Sequence, residues 1–260
     1  MRKEYKIFLT ALMFYTRIPC PKILDHDPKN LNKATRYFPL IGWIVGAMSY
    51  AMFFVADLFL GQSIAIVLSL LVGVWLTGAF HEDGLADAAD GFGGGWTQTT
   101  ILHIMKDSRV GAFGAIAIVL LFLLKFTALE TMLERVTISY YVPILFVCYH
   151  TLARFTAVHL IFTSRYSRED ATSKVKPIAQ RFGSTEVLGA YFFGLVPLCV
   201  LVYFQWKFIF VLLPLSLLVL WAKRYFEKWI DGYTGDCLGA VEQLAECVCI
   251  LSFVVLCKFM

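Results

Sequence analysis

Between residues 81 and 95 the chain reads HEDGLADAADGFGGG, with four carboxylates, Glu82, Asp83, Asp87 and Asp90, inside nine positions. Hard oxygen donors at that density suit Mg²⁺ or Mn²⁺, ions held by a few carboxylates together with substrate phosphates. If the apolar segment before them continues as one helix, Asp83, Asp87 and Asp90 fall within about 60° of arc. Glu82 lies about 100° from Asp83, at the edge of that face. Three like charges on one stripe repel unless a cation lies among them, and acids at a helix C-terminus oppose its macrodipole. On the residues alone two other readings stay open: a solvated acidic helix end, and the acids of a proton or cation path. The glycines Gly91, Gly93, Gly94 and Gly95 would let backbone approach a ligand, or would end the helix. No GK[ST] follows, so this is not a Walker A loop.

Further groups could serve the same chemistry. TTILHIMKDSRVGAFGA reads as a short amphipathic helix that delivers Lys106, Asp107, Ser108 and Arg109 to the same mouth. Arg109 suits bidentate phosphate binding, with Lys106 beside it, and Asp107 suits a further metal ligand or a general base. A snorkelling Lys–Asp–Arg cluster at a membrane interface is the alternative. His150 and Arg154 stand four apart within an apolar run, so they share a face, and an arginine there should turn inward and find an anion. Arg168 belongs to the basic stretch TSRYSREDATSKVKPIAQRFG. Near the C-terminus Asp236 reads as a helix N-cap, while Glu242 and Glu246 recur one turn apart inside a span with no capping role.

The elements that must position these residues are membrane helices. The 260-residue chain is 59% hydrophobic and 16% charged, with mean hydropathy +0.70. A soluble domain is nearer 45–50% and about 25%. Seven segments, about 38–60, 62–80, 110–129, 138–162, 187–205, 207–221 and 237–257, are apolar enough to cross or nearly cross a bilayer. The expected architecture is an all-α, polytopic integral membrane helix bundle, one membrane-embedded catalytic domain over residues 1–260. The segments at 187–205 and 207–221 should form a tight hairpin kinked at Pro197 and Pro214. MRKEYKIFLTALMFYTRIPC lacks a small-residue cleavage site and its apolar run ends on Arg17, so it reads as a retained interfacial or short buried helix. The seven cysteines have no paired spacing and read as small buried hydrophobes. Loops on one side, 1–37, 81–109, 163–186 and 222–236, carry 18 of the 23 lysines and arginines. That asymmetry places them, and the acidic cluster, in the cytoplasm. No nucleic-acid partner is expected, membrane lipid is, and self-association is left open.

Taken together, HEDGLADAADGFGG, IMKDSRVGAFGA, TRIPCP, RYFPLIGWIVG, YSRED and GDCLGAVEQLAE resemble the bacterial cobalamin synthase family. Its members are adenosylcobinamide-GDP ribazoletransferases of the inner membrane. The resemblance implies attack of α-ribazole, or its 5′-phosphate, on adenosylcobinamide-GDP, with loss of GMP and a requirement for Mg²⁺. It implies metal on Asp83, Asp87 and Asp90, with Glu82, and phosphate or substrate contacts from Lys106, Arg109, His150, Arg154, Arg168, Asp236 and Glu242. Asp107 or Asp90 would take the attacking hydroxyl's proton. The chemistry is similar to that of CDP-alcohol phosphotransferases, and Asp87-Ala88-Ala89-Asp90-Gly91 matches the opening D-x-x-D-G of their signature. The rest of that signature is missing here. A diverged lipid-forming CDP-alcohol phosphotransferase and a cation- or proton-coupled transporter therefore stand as alternative functions.

Overall fold

The computed structural model describes residues 3–21, 28–136, 139–167 and 182–259. Arg168 lies outside them. Every regular element among the described residues is helical. They are α1 (Lys3–Tyr15), α2 (Pro28–Ala34), α3 (Phe38–Leu60), α4 (Gln62–Thr77), α5 (Phe80–Gly94), α6 (Gln98–Ile104), α7 (Ala112–Arg135), α8 (Tyr141–Thr163), α9 (Ser184–Phe204), α10 (Leu212–Ile230) and α11 (Gly235–Cys257). Six helices are long and apolar enough to span a membrane: α3, α7, α8, α9, α10 and α11. This is a multi-pass membrane protein. The seventh expected span, α4, has 16 residues, about 24 Å against a hydrocarbon core of about 30 Å. It passes the same test only when joined to α5.

Burial ranks the helices. The most apolar stretch of α8 is 83% buried and that of α11 is 61%, against 22–44% for α3, α7, α9 and α10. The two central helices therefore carry the polar residues of the interior, and the outer ones present leucine and phenylalanine to lipid. Helix α3 crosses α8 in backbone contact at the Gly42–Gly46 pair. A Cβ at Gly42 would lie 2.6 Å from the Cα of Thr151, and one at Gly46 would lie 2.7 Å from the Cα of Val147. This is the small-xxx-small crossing of membrane helices, where close approach replaces the hydrophobic drive that lipid removes. Helix α1 is too short to span and packs inward through Ile7, Ala11 and Tyr15.

The expected continuation of the second segment into the acidic residues does not occur. Between α4 and α5 the chain turns by 88°. Gly78 (φ 65°) and Ala79 (φ 58°) both adopt left-handed backbone. Ala79 N–H donates to Val74 O at 2.9 Å and Gly78 N–H to Trp75 O at 3.2 Å, a Schellman termination. Arg17 N–H donates to Leu76 O at 2.7 Å, so the end of the N-terminal segment is tied to the last turn of α4. Beyond the bend α5 lies across one end of the bundle. Gly84 meets the start of α11, where an added Cβ would lie 3.0 Å from Asp236 O. Asp90 holds the start of α7, and Phe92 stacks on Phe226 near the end of α10 (5.5 Å, 16°).

Other expectations are corrected locally. The N-cap of α11 is Thr234, whose hydroxyl accepts from Cys237 N–H, and Asp236 lies in the first turn instead. The α6 helix ends at Ile104, so Lys106 to Arg109 occupy a turn. Pro214 is the third residue of α10, where a missing N–H costs no helical bond, and α9 runs on through Pro197. A single 3-10 stretch, Trp206–Val211, joins α9 to α10, keeping the expected short connection. All seven cysteines are free thiols.

Candidate active site

On α5 the acidic segment is divided by what each residue packs against, since Asp83, Asp87 and Asp90 share one arc of the helix. Asp83 is exposed and Asp87 half-buried, one turn apart on the face turned away from the bundle. Glu82 and Asp90 are buried, each 8% exposed. Both oxygens of Asp90 accept backbone N–H groups, Oδ2 from Gly111 at 2.7 Å and Oδ1 from Gly114 at 2.9 Å. A carboxylate there satisfies the free amides of α7 and complements its dipole. The four acids therefore do three different things. Among the described residues no group of three or more His, Cys, Asp and Glu converges as a ready-made metal site. Asp83 and Asp87 do supply two hard oxygen ligands on an open face, the number with which Mg²⁺ is held when phosphates complete its sphere.

The turn that follows α6 is anchored to α5 at both ends. Met105 packs against Gly91, and Gly111 binds Asp90. Between them Asp107 and Arg109 form an exposed pair, with Arg109 Nη2 2.6 Å from Asp107 Oδ2 and Arg109 Nε 3.0 Å from Asp107 Oδ1. The Arg109 guanidinium and backbone N–H hold the Asp107 carboxyl at about 2. Lys106 is exposed on the same turn. Lys106, Asp107 and Arg109 are thus brought together beside α5, as expected.

His150, Arg154 and Glu242 are not at that mouth. They lie in a buried network joining four helices. Arg154, 1% exposed, places Nη1 2.8 Å from Glu242 Oε1 and 3.4 Å from Glu246 Oε1. His150 Nδ1 is 2.6 Å from Glu246 Oε1. The anion expected for Arg154 is therefore supplied from inside the protein, where a substrate phosphate was anticipated. Glu82 joins the same network, its Oε1 accepting from Gln243 Nε2 at 3.1 Å. It does not stand at the edge of the acidic face. Three members escaped the reading of the sequence. Lys125 Nζ binds Glu246 Oε2 at 2.6 Å, Gln243 bridges Glu82 and Glu242, and His81 Nδ1 lies 3.7 Å from Glu242 Oε2. Lys125 had a signal, a lone ammonium in the middle of FLLKFTAL, where burial demands a partner. Gln243, uncharged inside α11, and His81, at the start of α5, carry no charge signal of that kind.

Comparison with known proteins identifies the family. The family model described as cobalamin-5-phosphate synthase matches residues 7–254. A Shewanella sp. (strain W3-18-1) protein named adenosylcobinamide-GDP ribazoletransferase is 44% identical over 257 residues, covering 96% of this chain and 94% of the relative. Relatives of the same name from Shewanella oneidensis and Shewanella baltica (strain OS155) are 43% and 42% identical over 255 residues, each covering 95% of this chain and 93% of the relative. No solved structure matches this chain. With 248 consecutive positions inside one family model, spanning both the acidic helix and the buried network, the chain belongs to the cobalamin-5-phosphate synthase family.

Proposed function

We propose that this chain is an adenosylcobinamide-GDP ribazoletransferase of a bacterial cytoplasmic membrane, its site facing the cytoplasm. The observation that carries the reading is the placement of the Asp83–Asp87 face next to the Lys106–Arg109 turn at one end of the bundle. Lysine and arginine concentrate in the loops on that side, which supports a cytoplasmic orientation. Asp83 and Asp87 would hold Mg²⁺, which when bound neutralises charge on the diphosphate and the departing GMP. Lys106 and Arg109 bind phosphate oxygens. The ribazole hydroxyl oxygen forms a bond to the phosphorus that carries the cobinamide. The bond from that phosphorus to the bridging oxygen breaks, and GMP leaves with the electron pair. The hydroxyl proton passes to Asp107. Held at about 2 by Arg109, Asp107 is a weak acceptor, and a phosphate that draws Arg109 away restores its basicity.

Purified protein in nanodiscs, given adenosylcobinamide-GDP, α-ribazole and Mg²⁺, is expected to yield cobalamin and GMP. Asp83→Asn and Asp87→Asn are expected to abolish GMP release while leaving thermal unfolding in place. Retained turnover in either variant at saturating Mg²⁺ would remove that residue from the metal site. Turnover of CDP-diacylglycerol in its place would favour the lipid-forming reaction.

A further inference from the structure

The buried network has no substrate-sized space. The cavity beside Glu82, Lys125, His150, Arg154, Gln243 and Glu246 measures ≈ 10 Å³, against about 300 Å³ or more for ligand pockets. Its charges face one another, and its hydrogen-bonded link to α5 is Glu82, while His81 of the same helix lies 3.7 Å from Glu242. Glu82 and Asp83 are neighbours on one helix, pointing about 100° apart. Whatever fixes the direction of Glu82 therefore fixes the directions of Asp83 and, one turn on, Asp87.

Helix α5 needs such a tie, because the 88° bend uncouples it from α4. At its far end the tie is Asp90, gripped by Gly111 and Gly114. At the near end α5 meets α11 through Gly84, Gly239 and the backbone of His81 and Asp236, a close approach of main chain with little side-chain interlock to resist rolling. There the chain of bonds is Glu82 Oε1 to Gln243 Nε2 (3.1 Å), Gln243 Oε1 to Lys125 Nζ (2.5 Å) and Lys125 Nζ to Glu246 Oε2 (2.6 Å). Glu246 is fixed in turn by His150 of α8 at 2.6 Å. Gln243 stands uncharged between Lys125 and Glu82, and it presents its amide oxygen to the ammonium and its amide nitrogen to the carboxylate. A carboxylate in its place could not donate to Glu82, and an ammonium could not accept from Lys125.

We infer that Gln243, oriented by Lys125, is a positioning residue that sets the roll of α5 and so aims Asp83 and Asp87 at the metal and the diphosphate. This rests on the assignment of Asp83 and Asp87 given above. The test is Mn²⁺ binding to the full chain in nanodiscs, read by electron paramagnetic resonance in wild type, Gln243→Leu, Gln243→Met, Lys125→Met and Asp83→Asn. Metal-activation constants and thermal unfolding are measured alongside. Either Gln243 variant, folded, should bind Mn²⁺ about 10- to 100-fold more weakly, with a matching rise in the Mg²⁺ concentration for half-activity. Lys125→Met should shift both in the same direction. A folded Gln243→Met protein with wild-type Mn²⁺ affinity, beside an Asp83→Asn protein that has lost it, overturns the positioning role alone. If Asp83→Asn keeps wild-type affinity, the metal assignment falls and the inference falls with it.

Discussion

Asp107 and Arg109 form the most exposed of the ion pairs described, with side-chain exposures of 34% and 87%. Solvent screens such a pair, so its stability contribution is small. The folded value of about 2 is below the ordinary aspartate value near 3.9. Any stabilisation from the pair is thus complete above that ordinary value and is lost only as pH falls through about 2. Between pH 5 and 8 Asp107 stays ionised in the free enzyme. Asp107→Asn should accordingly lower kcat/KM throughout that range without moving the midpoint of its acid limb, a comparison made by pH–rate profiles of the two proteins. A midpoint displaced in the variant would mean that Asp107 itself titrates there.

At the scale of elements, two devices set the site. One is the bend, where a left-handed alanine, a conformation costing roughly 1–2 kcal/mol for a residue with a Cβ, is held by the Schellman bonds and by Arg17 above them. The other is the α3–α8 crossing, which brings the backbone of α3 against His150 and Thr151 and so fixes the depth of the network's α8 members. Gly46→Leu has no room at that crossing. It should cost at least about 1–3 kcal/mol, the usual range for overpacking, and lower the thermal midpoint in nanodiscs. An unchanged midpoint would show that the two helices can separate freely.

Across the whole molecule, polarity is divided by depth. Asp83, Asp87 and the exposed turn lie at one end of the bundle, while three carboxylates, a lysine and an arginine are enclosed among α5, α7, α8 and α11. Breaking one pair in such an enclosure strands a buried charge, typically at about 3–5 kcal/mol. The interior network is therefore more sensitive to substitution than the exposed face. The proposed orientation is open to a direct check. An alkaline phosphatase fused after residue 259, beyond α11, should be active in a bacterial host, and one inserted in the 95–97 turn beside α5 should be inactive. The reverse pattern would put the site on the outer face.

Much of this was legible in the residues. Composition and apolar runs determined a helical membrane protein, because a bilayer admits few other solutions for a chain with this hydropathy. The bounds of α3 fell where the run beginning at Phe38 predicted, and the motifs pointed to the right family. Asp83, Asp87 and Asp90 could be grouped because side-chain direction along one helix follows from a fixed angle per residue, but only packing shows that Asp90 leaves the group to bind the amides of α7. Which helix that angle belonged to was a matter for the tertiary structure. Gly78 is a local mark of a helix end, but no local pattern announces the left-handed Ala79 or the long-range bond from Arg17 that ties down the bend. The partners of Arg154, Glu82 and Asp90 were decided the same way. A buried charge must find a counter-charge or a hydrogen-bond donor, but residues 88, 161 and 21 positions apart along the chain become neighbours only when the helices pack.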